Sequence, residues 1–89
     1  MNDPFVHARA EKFSLRLLNS APDDRARTDF AYRQLFGRSA SSEEQADATE
    51  FLRDYAGTCA DKPVDQQSAL AWMAYARVLF GSNELLYLD

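Results

Sequence analysis

Apolar residues recur at intervals of three and four through four stretches of the chain, the spacing that lines one side of an α-helix. No stretch alternates as a strand would, and no Asn-Gly hairpin signal occurs. The first helix is predicted from about Pro4 to Asn19, with Asp3 as N-cap and Pro4 where a missing N–H does no harm. Phe5, Val6, Ala10, Phe13, Leu17 and Leu18 form its apolar stripe. The run Ser20-Ala21-Pro22-Asp23 interrupts the pattern, and Asp23 or Asp24 can cap a second helix that ends near Phe36. Its core residues are expected to be Phe30, Ala31, Leu35 and Phe36, with Gly37 supplying a left-handed C-cap and Arg38 placed to meet the last carbonyls. Ser41 followed by Glu44 is a capping box that opens a third helix, running to about Ala56 or Gly57 with Ala48, Phe51, Leu52 and Tyr55 inward. After a loop over Thr58 to Val64, Asp65 is expected to cap a fourth helix that reaches Phe80, with Gly81 at its end.

The fourth helix is apolar nearly all round, since Arg77 is the only charged residue between Ala69 and Phe80. Such a helix lies at the centre of a bundle or beneath a covering partner. Leu70, Met73 and Phe80 share one face and are assigned to the core, with the aliphatic stem of Arg77 laid along them. That assignment leaves Trp72, Tyr75 and Leu79 to be covered either by the Leu85 to Tyr87 tail or by a partner. Ser82-Asn83-Glu84 can begin a short further turn that brings in Leu85, Leu86 and Tyr87, and these six apolar residues form the candidate interaction surface. The expected architecture is all-α: a small antiparallel bundle of about four short helices with a short C-terminal turn, forming one domain over residues 1–89.

Charge narrows the range of partners. The net charge of −4 argues against a surface built to neutralise many phosphates, so no nucleic-acid partner is expected. It divides unevenly: residues 1–38 hold seven Lys/Arg and five Asp/Glu, whereas residues 39–89 hold three and nine. Arg9, Lys12 and Arg16 fall on one face of the first helix, and Glu43, Asp47, Glu50 and Asp54 on one face of the third. Both are read as solvated faces, because carboxylates that hold calcium or move protons must converge in a loop or pocket. An apolar run of about twelve residues is too short to span a bilayer.

Catalytic and cofactor signatures do not emerge from the sequence. One cysteine, Cys59, and one histidine, His7, cannot make an internal disulfide or a zinc site of the usual spacing. Gly-x-Ser-x-Gly, Gly-x-Gly-x-x-Gly and Cys-x-x-Cys-His are all missing. The chain is therefore expected to need no cofactor and not to act as an enzyme by itself.

Three segments carry a family resemblance: Asn2-Asp3-Pro4-Phe5-Val6; Ala31-Tyr32-Arg33-Gln34-Leu35-Phe36-Gly37-Arg38 with Glu44; and Ser82-Asn83-Glu84-Leu85-Leu86-Tyr87-Leu88-Asp89. In this order the chain resembles the C-terminal part of the planctomycete domain-of-unknown-function family numbered fifteen fifty-three. It departs from the family where Ser39-Ala40-Ser41 replaces a proline-bearing turn and where Leu85 replaces a Phe. The resemblance implies the C-terminal module of a longer, exported protein, with cytochrome-c-like or other planctomycete-specific domains ahead of it. Its expected role is a structural or protein-interaction module for other domains of the parent chain or another protein, as a monomer or weak dimer in isolation. The alternative is an accessory piece of an upstream redox or hydrolytic domain. Tyr32, Arg33 and Arg38 separate the two readings: the first makes them capping and packing residues, the second aims at least one at an open pocket.

Overall fold

The computed structural model describes residues 4–82 and is helical through four segments: α1 (Pro4–Ser20), α2 (Asp24–Phe36), α3 (Ser42–Gly57) and α4 (Val64–Phe80). The caps explain most of these boundaries. Asp23 accepts the backbone N–H of Ala26 at 2.8 Å and starts α2, and Gly37, at φ 73°, ends it by donating its N–H to the Arg33 carbonyl at 3.1 Å. A left-handed φ is open to glycine without the clash that a Cβ introduces. Ser41 and Glu44 form the expected reciprocal box at the start of α3, with bonds of 2.8 and 3.1 Å. The start of α4 differs from expectation. Pro63 occupies the cap position without a side-chain bond, and Asp65 sits inside the first turn, where its negative charge faces the helix's positive end. The expected cap at Asp3 lies outside the described residues.

The helices form a ring in which α4 packs against α1 and α3, while α2 closes the other side against the same two helices. The core comprises Ala10, Phe13 and Leu17 of α1, Ala31 and Tyr32 of α2, Ala48 and Leu52 of α3, and Ala71, Trp72, Tyr75, Ala76 and Leu79 of α4. Phe30, Leu35, Phe36, Phe51, Tyr55 and Phe80 pack against it from the rim. Phe5 departs from expectation: it is 64% exposed beneath the Arg9 guanidinium, 4.8 Å from its ring centre.

Buried polar groups are satisfied locally or across the ring. Ser14 and Thr28 return hydrogen bonds to carbonyls of their own helices, at 2.7 Å to Glu11 and 2.8 Å to Asp24. Gln45 reaches from α3 to the Arg25 carbonyl of α2 at 3.1 Å, and the Asp29 carboxylate accepts the Ala40 N–H of the following turn at 3.2 Å. The Trp72 indole N–H donates to Asp24 Oδ1 at 2.9 Å, across 48 residues of sequence, and joins α4 to the start of α2.

Candidate interaction surface

Of the six residues expected to form the interaction surface, Trp72, Tyr75 and Leu79 are inside the bundle, at 0, 5 and 4% exposure, while Leu85, Leu86 and Tyr87 lie outside the described residues. The correction has a physical reason. Trp72 and Tyr75 are large rings whose burial removes much apolar area from water, and the bundle supplies partners for their polar ends. Asp24 takes the indole N–H, and the Tyr75 hydroxyl shares a hydrogen bond with Tyr32. Burial, aided by that bond, pushes the Tyr75 phenol well above its usual value. Trp72 meets Tyr75 edge-on at 5.7 Å, and Tyr75 meets Phe51 at 5.3 Å. Leu70, Met73 and Phe80, expected at the core, are each only partly buried, with Phe80 resting on Phe13 at 5.7 Å.

The residues that divided the two functional readings all make internal contacts. Tyr32 is buried and packs on Phe36 at 5.2 Å. Arg33 pairs with Asp29 at 3.0 Å. Arg38 donates to the Ser39 carbonyl, at 3.2 Å. It turns forward and holds both Glu44 oxygens, at 2.8 and 2.9 Å, with its guanidinium 5.4 Å from the Tyr32 ring centre. Arg38, with help from the Ser41 N–H, lowers the Glu44 carboxyl from 4.5 to about 2. One arginine thus connects the end of α2 to the capping box of α3. The sequence held the signal for this, since Arg38 precedes a box glutamate by six residues across a turn too short to separate them.

With the α4 aromatics internal, the outer side of α3 carries a concave surface with an apolar floor. An open groove of about 470 Å³ is lined by Asp47, Glu50, Phe51, Asp54, Tyr55 and Thr58. Phe51 and Tyr55 stack one turn apart at 6.0 Å with an interplanar angle of 17°, both half-buried. The carboxylates beside them are exposed, and Asp54 lies 3.7 Å from Arg53. Phe51 also lines a second groove with His7, Ala74, Arg77, Val78 and Gly81, where α4 ends. The helical pattern correctly turned one edge of Phe51 and Tyr55 inward. It did not reveal that their outer edges form the floor of a groove beside the acidic face.

The described residues contain no group of three His, Cys, Asp or Glu placed to hold a metal, and no described helix is long and apolar enough to cross a membrane. Cys59 is buried in the loop before α4, its sulfur 3.7 Å from the Thr58 hydroxyl. No family model, curated protein or solved structure matches the chain.

Proposed function

We propose that this chain is a non-catalytic protein-interaction module of a larger protein, as its resemblance to the planctomycete family implies, and that it docks through the outer groove of α3. The observation that carries this reading is the stacked Phe51–Tyr55 pair flanked by Asp47, Glu50 and Asp54. Half-buried rings offer apolar area that a partner can cover without ordering long side chains, and the acidic border sets orientation and encounter rate. The internal use of Tyr32, Arg33 and Arg38 favours the interaction reading over an accessory role at an upstream redox or hydrolytic site.

The test is a titration of the isotopically labelled chain with each remaining domain of the parent polypeptide, followed by amide resonances. The expected result is a perturbation centred on residues 47–58 that Tyr55→Ala abolishes while the helical spectrum is retained. Perturbation centred elsewhere, or none with any domain, overturns the assignment.

A further inference from the structure

The partner of that groove can be narrowed on the charge pattern of the chain itself, an inference that rests on reading the outer side of α3 as an interaction surface. Arg9, Lys12 and Arg16 are exposed on α1 at spacings of three and four residues. Asp47, Glu50 and Asp54 are exposed on α3 at the same spacings. At a rise of about 1.5 Å per residue, each row is about 10.5 Å long and falls within roughly a 60° arc of its helix. The basic row therefore matches in step, with opposite charge, the last three carboxylates of an acidic face that Glu43 extends by one further turn.

They cannot meet within one molecule. Both α1 and α3 pack against α2 and α4, which puts them at opposite corners of the ring with their outer sides turned apart. Among the described residues, the ion pairs of these rows are confined to Asp54 with its neighbour Arg53.

We propose that the occupant of the α3 groove is α1 of a second copy of this chain, laid parallel with Arg9 against Asp47, Lys12 against Glu50 and Arg16 against Asp54. The contact is heterologous, since each copy offers a basic row on one side and an acidic row on the other. Copies consequently add head to tail instead of closing as a two-fold dimer. Exposed ion pairs are individually weak and screened by salt, so association is weak and falls as ionic strength rises.

Sedimentation velocity on the full chain tests this with Lys12→Glu and Glu50→Lys, both at exposed positions and both checked for unchanged helical content. At low salt and high concentration the parent chain should sediment increasingly fast, beyond the dimer, and lose at least about tenfold in association constant when ionic strength is raised well above physiological. Each variant alone should remain monomeric. An equimolar mixture should again sediment beyond the dimer, because the intact rows of the two variants pair with each other and the two reversed positions once more set opposite charges face to face in the other contact. A parent chain that stays monomeric at low salt overturns the proposal, as does either variant assembling like the parent. If self-association fails while a parent-protein domain still perturbs residues 47–58, only the second copy is excluded as occupant and the docking surface stands.

Discussion

At the scale of single residues, Trp72 and Glu44 show how burial and exposure change what a hydrogen bond is worth. Trp72 is fully buried, and its one polar atom is matched to an Asp24 carboxylate that keeps 55% of its side chain in water. Trp72→Phe should therefore cost only about 1–2 kcal/mol, because Asp24 regains solvent when it loses the N–H. Trp72→Ala should cost about 3–5 kcal/mol, a large part of the margin of a small domain. Urea unfolding at constant m-value checks both, and equal small losses would show that the indole is not packed as described. Glu44 makes a pH prediction. Its folded carboxyl binds a proton less readily than the unfolded one, so its stabilisation is complete above about pH 4.5 and is lost as pH falls toward about 2. With Arg38 42% exposed, solvent screening holds the effect to the order of 1 kcal/mol. Arg38→Met should lower the unfolding free energy at about pH 6 by that amount and bring the two proteins together near about pH 2. Parallel pH profiles for the two would contradict the pairing.

At the scale of elements, local chemistry made α2 and α3 legible and left α4 half read. Asp23, Gly37 and the Ser41–Glu44 box each act within a few residues of themselves, so sequence alone places them, and the structure has all three. Ser41→Ala should cost about 0.5–2 kcal/mol, since the Glu44 N–H loses its acceptor. Ser42, already the first residue of α3, should tolerate alanine with little change in the unfolding midpoint. The reverse order of effects would move the cap by one residue. On α4 the same reasoning failed, because a helix apolar on nearly every side has no periodic signal to say which face is central. The choice was made by partners far along the chain: Asp24 and Tyr32 accommodate the polar ends of Trp72 and Tyr75, while nothing comparable draws Leu70 or Met73 inward. The α3 groove was out of reach for a related reason. Acidic spacing and aromatic spacing were each visible, but their meeting on one open surface depends on how deeply α4 and Tyr75 let Phe51 sink.

At the scale of the whole molecule, the account makes α4 the internal support of a ring whose outer faces are left for recognition. Its alanines at 71, 74 and 76 are buried, and their small side chains let neighbouring helices approach closely beside the large aromatics. Polar ties from Gln45 to α2 and from Trp72 to Asp24 then fix how the helices sit around that centre. Interaction through α3 follows only if the bundle itself encloses Trp72, leaving no aromatic face of α4 to recruit a partner or the last residues of the chain. Trp72 is the sole tryptophan, so its fluorescence reports on this directly. The decisive measurement is the emission maximum and acrylamide quenching of Trp72 in residues 1–82 alone. The account predicts blue-shifted emission and weak quenching, the same as in the full chain. Emission and quenching like those of tryptophan in water, in a fragment that keeps its helical spectrum, would contradict it and return the α4 face to the surface.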